Sequence, residues 1–198
     1  MDAMASDGVF RNGIDLERVA GLIDVIRADP ELARFRFRAR NRWVGGSENR
    51  STVFDFDGLG DTRITRHKPL EFTNAEPPAL LGHDESASAL EFLLHALAGS
   101  VTTTLVLRAA TLGIIIESLF TEVEGEIDVR GMLGIEDAPP SGYEQVRVVI
   151  DVAANCTDTV LDELVEFART HAPVCGALER PVAVRIERTS RARAAETD

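Results

Sequence analysis

The sequence predicts an α+β fold in which antiparallel strands surround one long apolar helix. The first observation is the stretch from Ser88 to Leu112, which has no proline, one internal glycine, and apolar or small residues on almost every face. The second is that stretches on both sides of it alternate apolar and polar residues, as half-buried strands do. The predicted order is helix, three strands, long helix, two strands, helix and strand, without an internal repeat.

The long helix has sequence signals at both ends. Ser88 is a candidate N-cap with Glu91 as its capping-box partner, and Gly113 is placed to end the helix. Because its apolar residues occur all round, we expect the helix to be enclosed by protein. We expect no membrane span, because Glu91 and Arg108 leave too short an uncharged run for the roughly 20 residues that a bilayer core requires.

The N-terminal part begins with a tail, residues 1–13, and continues with an amphipathic helix that should pack on the main domain and end near Asp29 and Pro30. A strand follows, with Phe, Ala, Asn and Trp on one face and four arginines on the other. Gly45-Gly46 makes a hairpin with the next strand, and the three strands form a meander. Their predicted bounds are Arg34–Val44, Ser51–Phe56 and Thr62–Phe72.

The C-terminal part reads as two strands, a helix and a final strand. The strands are predicted at Ile114–Asp128, Glu144–Ala154 and Pro181–Arg188. Asp158 or Thr159 should cap the helix, which Pro173 interrupts.

Composition excludes several classes of function. The net charge of −12 argues against a general nucleic-acid binder, which needs a basic face. Two cysteines without a framework pattern fit a reducing compartment, and the start of the chain lacks the apolar core of a signal peptide, so we expect a cytoplasmic protein. No second His or Cys lies at ligand spacing from His95, so we predict neither a metal nor another cofactor.

Four stretches resemble the OsmC/Ohr family of thiol-dependent hydroperoxide reductases, over roughly residues 35–188. They are Asn41–Gly46, Glu76–Asp84, Glu91–Ser100 and Ala172–Val174. The resemblance implies an OsmC-like domain at 35–190, between a tail and peripheral helix at 1–34 and a polar tail at 191–198. It also implies an intertwined homodimer with two central helices wrapped by antiparallel sheets, which suits a helix that is apolar on all sides.

The resemblance also implies two reactive cysteines, and neither is present. The family positions fall on Ser100 in the long helix and on Ala172 before Pro173. A serine hydroxyl cannot enter the sulfenic acid and disulfide cycle of a thiol. Ser100 therefore either lines a vestigial pocket or, beside Gly99, lets helices approach closely.

Further site residues follow from the resemblance. Glu91 matches a family glutamate that pairs with an arginine near the thiol, or it only caps the helix; Arg42 and Arg50 are the nearest arginines, and His95 lies one turn away. Cys175 follows Pro173, where a helix N-terminus would lower its thiol pKa, or it is a buried, inert cysteine.

These residues leave three hypotheses for function. The first is a non-peroxidatic, pseudo-enzyme dimer that binds a small hydrophobic ligand in the cleft between subunits, near Ser100, Glu91 and Ala172. The second is a one-cysteine hydroperoxide reductase that uses Cys175 and an external thiol. The third is a purely structural or partner-binding dimer with no ligand. The missing thiols favour the first hypothesis over the second.

Overall fold

The computed structural model describes residues 9–60, 62–180 and 182–188, and it confirms the α+β class. Its strands are β1 (Phe10–Arg11), β2 (Ile14–Asp15), β3 (Arg36–Phe37), β4 (Arg40–Gly45), β5 (Glu48–Gly58), β6 (Thr62–Asn74), β7 (Ile116–Ile127) and β8 (Tyr143–Ala154). Its helices are α1 (Leu16–Ala28), α2 (Ala89–Leu112), α3 (Val129–Met132), α4 (Asp158–His171) and α5 (Pro173–Glu179).

The N-terminal segment is more ordered than the predicted tail. Strands β1 and β2 pair as a small hairpin, and Asn12 at its turn donates to the Ile114 carbonyl at 2.9 Å and accepts from the Ile116 N–H at 3.0 Å. Residues 1–8 of the predicted tail lie outside the described residues. Helix α1 matches its predicted span, and none of its residues is fully buried within one chain, so its packing on the main domain stays a prediction.

The first sheet is the predicted meander with a broken edge strand. Strands β3 and β4 both pair with one edge of β5, and β6 pairs with the other. The single strand predicted at Arg34–Val44 is therefore wrong, because residues 38 and 39 leave the ladder. At this break the Arg38 guanidinium binds the buried carboxylate of Asp57 on β5. The alternation of side chains continues through the break, so the pattern did not reveal it.

The apolar face of this sheet is not buried within one chain. Phe37 is 68% exposed and Trp43 is 71% exposed, although the rings of Phe35, Phe37 and Phe56 contact one another. The prediction of a half-buried strand here is wrong for the isolated chain. The sheet thus presents an aromatic surface that no described element covers.

The second sheet and the core match the sequence pattern closely. Strands β7 and β8 pair antiparallel along their whole length, with bounds within two residues of those predicted. The N-cap of helix α4 is Thr157, without a side-chain hydrogen bond, so the prediction of Asp158 or Thr159 as the cap is wrong; Asp158 is the first residue of the helix. The core consists of one side of α2, the inner side of α4 and the residues just after each helix. Its buried residues are Leu97, Val101, Leu105, Ala109, Ile114, Leu164, Ala168 and Ala172.

The predicted ends of α2 are confirmed. Ser88 Oγ accepts from the Glu91 N–H, and Glu91 Oε2 accepts from the Ser88 N–H at 2.7 Å, which completes the capping box. Gly113 ends the helix in the left-handed region at φ 84°. By length and composition alone α2 would also pass as a membrane span, a property that core helices of soluble proteins share. Because α2 packs against α4 and β7, the structure favours its interpretation as a core helix over that as a membrane span.

The last predicted strand is absent from the described residues. Pro181 lies outside them, and residues 182–188 form no ladder. Val182, Val184 and Ile186 still alternate with polar or small residues, and Ile186 is 94% exposed. The strand pattern is present, but the segment has no neighbour to pair with in one chain.

The capping box predicts a pH-dependent contribution to stability. Ser88→Ala should lower the free energy of unfolding by about 1 kcal/mol at neutral pH, because an N-cap acceptor is lost. The hydrogen bonds from Ser88 hold the pKa of Glu91 below its ordinary value of 4.5. The stabilisation by Glu91 is therefore fully present above pH 4.5 and is lost as the pH falls through the lower, folded-state value.

Urea unfolding of the wild type, Ser88→Ala and Glu91→Ala at several pH values tests this. The gap between wild type and Glu91→Ala should be widest near pH 7 and should shrink on acidification, while Glu117→Ala serves as an exposed control. A gap that stays constant down to pH 3 would contradict the capping role of the carboxylate.

Candidate functional site

The two positions that the family resemblance marks as cysteines meet in this structure. Ser100 lies in the middle of α2, and Ala172 lies at the junction of α4 and α5, where it is only 1% exposed. Ser100 Oγ accepts a hydrogen bond from the Val174 N–H at 3.2 Å. The fold therefore brings together two residues that are far apart in sequence, and neither of them carries sulfur.

The hydrogen bond has a structural reason in the break between α4 and α5. Pro173 cannot continue α4, and Ala172 takes an extended conformation between the two helices, at φ −67° and ψ 121°. The first N–H groups of α5 then lack intrahelical partners, and Ala172 has no side chain with which to cap them. Ser100 supplies the missing acceptor from α2. Its hydroxyl thus serves as a cap provided by a neighbouring helix.

A cavity of about 500 Å³ lies beside this junction, within one chain. Its walls are apolar side chains from α2, β8, α4 and α5, and polar side chains stand among them. The lining comprises Leu97, Val101, Tyr143, Glu144, Gln145, Val146, Val148, Ile150, Val165, Arg169, Cys175, Leu178 and Glu179. Neither Ser100 nor Ala172 is among the lining residues, so the cavity is adjacent to the junction rather than centred on it.

Cys175 is a half-buried wall residue of this cavity with a suppressed acidity. Burial raises the pKa of its thiol, and the nearby carboxylate of Glu179 raises it further, while Arg169 lowers it only slightly. Of the two readings of this residue, a thiol activated by a helix N-terminus and a buried, inert cysteine, the raised pKa favours the second. Helix α5 has only seven residues.

Arg169 is held in place at the cavity by two carboxylates. Its guanidinium donates to both oxygens of Glu166 at 2.8 Å and lies 3.4 Å from Glu179 Oε1. The hydrogen bonds with Arg169 lower the pKa of Glu166. Arg169 is therefore neutralised from its own helix before any ligand arrives.

Glu91 does not reach the thiol position within one chain. It lies nine residues before Ser100 on the same helix, about 13 Å along the axis at 1.5 Å per residue. Among the described residues no arginine binds its carboxylate, which is engaged by Ser88 instead. The residues that the structure describes contain no glutamate–arginine pair at Glu91, and of the two alternatives the contacts support capping. His95, one turn further on, is exposed.

The two candidate arginines lie on the first sheet, away from the junction. Arg42 on β4 and Arg50 on β5 are register partners, and Arg50 Nη2 lies 3.1 Å from Glu48 Oε1. Both line a second, polar cavity of about 440 Å³ on this sheet. One contact links the sheet to the start of α2, an edge-on arrangement of Phe72 and Phe92 with ring centroids 6.2 Å apart. The chain alone does not bring these arginines to Ser100.

Sequence reasoning missed the residues that give the cavity its polar groups. Arg169 and Glu179 looked like ordinary solvent-facing residues of amphipathic helices, and only the turn at Pro173 places them together. Tyr143 could have been singled out from the sequence as a candidate, because it is the only tyrosine in the chain. Its hydroxyl donates to the Leu90 carbonyl at 3.0 Å. The alternation of apolar and polar residues along β8 was the sequence signal that could have predicted the apolar wall of the cavity.

The described residues contain no cluster of three or more His, Cys, Asp or Glu side chains that would hold a metal ion. Both cysteines, Cys156 and Cys175, are free thiols. The groups available for chemistry near the junction include one hydroxyl, one thiol of raised pKa, a neutralised guanidinium and the carboxylates of Glu144 and Glu179.

Comparison with known proteins agrees with this architecture. The sequence profile of the OsmC-like protein family matches residues 82–187, more than half of the chain. No curated protein matches the sequence. The crystal structure of an OsmC-like protein from Mycoplasma pneumoniae superposes with a TM-score of 0.55 at 17% identity, over 73% of this chain and 87% of that one.

An organic hydroperoxide resistance protein, OsmC, from Legionella pneumophila superposes with a TM-score of 0.50 at 15% identity, over 72% of this chain and 88% of that one. At such identities the solved structures support the fold alone. Together with the match to the family profile they confirm the OsmC-like fold predicted from the sequence.

The environment of Cys175 predicts slow reaction with electrophiles. Because the thiolate is the nucleophile and the pKa is raised, iodoacetamide should alkylate Cys175 more slowly than free cysteine at pH 7, with a rate that rises as the pH rises. Glu179→Gln should accelerate the reaction, and Glu163→Gln, elsewhere on the surface, should not. Peptide mass spectrometry separates Cys175 from Cys156. Alkylation of Cys175 at pH 7 faster than that of free cysteine would contradict this description of its surroundings.

Proposed function

This chain belongs to the OsmC-like protein family, and from that premise we propose that it is a member that binds a small apolar ligand without reducing hydroperoxides. The observation that carries the proposal is the contact between Ser100 and Val174. It occupies the place where the family resemblance puts the reactive thiol, and there the hydroxyl caps α5. The position has a structural use that needs no sulfur.

The chemistry of the two positions supports the absence of peroxidase activity. Reduction of a hydroperoxide by a thiol transfers one oxygen to sulfur, releases an alcohol, and leaves a sulfenic acid that a second thiol resolves to a disulfide. The Ser100 hydroxyl cannot be oxidised in this way, and Ala172 offers no second nucleophile. Both steps therefore lose the atom on which they depend.

The alternative is a one-cysteine hydroperoxide reductase that uses Cys175. It gains support because Cys175 lines the apolar cavity, where an organic hydroperoxide would fit. It loses support because burial and Glu179 raise the pKa of the thiol, so that little thiolate is present near neutral pH. A peroxidatic thiol needs the opposite environment. We therefore rank this alternative second.

Ligand binding is supported by the cavity itself. Its volume of about 500 Å³ falls within the range of roughly 300–1,000 Å³ that small-molecule sites occupy. Apolar side chains make up about half of the lining, and polar groups that could orient a ligand stand among them. The cavity lies beside the junction of Ser100 and Ala172, which suits a binding site that has replaced a reaction centre.

We also propose that the functional unit is a homodimer. The exposed apolar surface includes Phe37 and Trp43 on the first sheet and Leu112 on α2. Obligate dimers bury about 2,000–5,000 Å², and their interfaces are more hydrophobic than those of transient complexes. A second copy is therefore the partner that these uncovered side chains favour.

Hydroperoxide consumption tests the absence of peroxidase activity. With cumene hydroperoxide and dithiothreitol, the wild type and Cys175→Ser should both match the protein-free rate. The double variant Ser100→Cys with Ala172→Cys should gain measurable turnover, because it restores both sulfur atoms where the fold brings them together. The gain should be partial, since Glu91 is engaged in capping α2.

Controls make the outcome interpretable. The single variant Ala172→Cys should stay inactive, and the melting temperature of each variant checks that removal of the cap at Ser100 has not unfolded it. Brisk turnover by the wild type that disappears in Cys175→Ser would overturn the proposal and establish the one-cysteine alternative.

A further inference from the structure

The cavity beside α5 has apolar walls and three ionised side chains in its lining, one from β8, one from α4 and one from α5. Val146, Val148 and Ile150 of β8 and Val165 of α4 form the apolar part. The ionised side chains in the lining are Glu144, Glu179 and Arg169. A ligand that fills the apolar part lies in the same lining as these three groups.

The net charge around these three groups is negative, so the electrostatic potential in this part of the cavity should be negative as well. Arg169 is already bound by both oxygens of Glu166 and by Glu179, so its charge is compensated by neighbouring carboxylates. Glu144 has no hydrogen-bonded cation among the described residues, although it lies near enough to raise the pKa of Arg130 slightly. The lining thus carries one more acid than base, and Glu166 adds a further negative charge behind Arg169.

The pKa of Cys175, which lines the cavity, responds to the same negative charge. Glu179 raises the pKa of its thiol more than Arg169 lowers it. An anion placed near Cys175 would meet the same repulsion that disfavours the thiolate. The effect of Glu179 on an existing buried group is therefore a guide to its effect on a bound head group.

We propose that this cavity binds an amphiphile with a short alkyl or ring portion and a cationic head, and that it discriminates against the corresponding carboxylate. The inference rests on the proposed ligand-binding function and names the class of ligand. The alkyl portion lies against β8 and α4, where its burial removes apolar surface from water. The head lies beside Glu144 and Glu179, where a cation gains and an anion loses Coulomb energy. A ligand with a neutral head should bind with an affinity between those of the cationic and the anionic ligand.

Three probes with the same chain and different heads test the inference: decyltrimethylammonium, decanol and decanoate, each below its micelle concentration. Isothermal titration calorimetry on the full chain should rank them in that order of affinity. The ratio between the cation and the carboxylate should be about tenfold, because an exposed charge contact changes affinity by up to about fivefold and the cation gains what the anion loses. The ratio should fall as salt is added.

Substitutions locate the effect. Glu144→Gln combined with Glu179→Gln should abolish the preference for the cation, with little change in the affinity for decanol. Glu163→Gln, on the exposed side of α4, should leave the preference intact. Val148→Phe should fill the cavity and weaken all three probes, whereas Val149→Phe, on the opposite face of β8, should not. Circular dichroism and melting temperature verify that each variant is folded.

The outcomes separate this inference from the proposed function. Binding of decanoate as tight as or tighter than that of decyltrimethylammonium would overturn the inference and leave a ligand-binding function standing. A preference that survives the Glu144 and Glu179 substitutions would overturn it as well. Failure of all three probes to bind would contradict both, as expected if another part of the chain or a second copy fills the cavity.

Discussion

Helix α2 is apolar on every side, and this constraint decides how the rest of the chain is arranged. One side packs on α4 through Leu97, Val101 and Leu105, the last of which is fully buried. The other side has no cover among the described residues: Leu107 is 39% exposed, and a side chain at Gly99 would meet no atom within 4 Å. The expectation that Gly99 permits close helix packing therefore has no partner inside one chain. The first sheet, with its exposed aromatic face, is the matching uncovered surface.

The same packing explains how a fold can keep the geometry of a reaction centre without its chemistry. Once α2 lies against the junction of α4 and α5, the side chain at position 100 faces the first N–H groups of α5. A hydroxyl there satisfies the Val174 N–H, so Ser100 has a structural use. The neighbouring thiol of Cys175 lies in a buried, acidic setting that suppresses ionisation. These surroundings support the proposed function, in which the site holds a ligand and does not attack it.

The sequence predicted what depends on local chemistry and periodicity. The capping box of Ser88 and Glu91, the left-handed Gly113, and the strands β5 to β8 follow from residues close in sequence or from a period of two. Side-chain contacts between distant elements were not predictable in this way. The break at Arg38 depends on Asp57, and the raised pKa of Cys175 depends on burial and on Glu179. The final strand was predicted from a real alternation, yet a strand also needs a neighbour, which residues 182–188 lack in one chain.

Light scattering on the wild type and on two glycine variants tests most directly whether a second copy covers α2. At micromolar concentration the wild type should give twice the chain mass of 21.6 kDa. Gly99→Leu and Gly21→Leu both place a large side chain on an open helix surface, and both should favour the helix itself. We expect Gly99→Leu to weaken the dimer and Gly21→Leu, on α1, to leave it intact. A wild-type protein of monomeric mass would contradict the conclusion that a second copy covers α2.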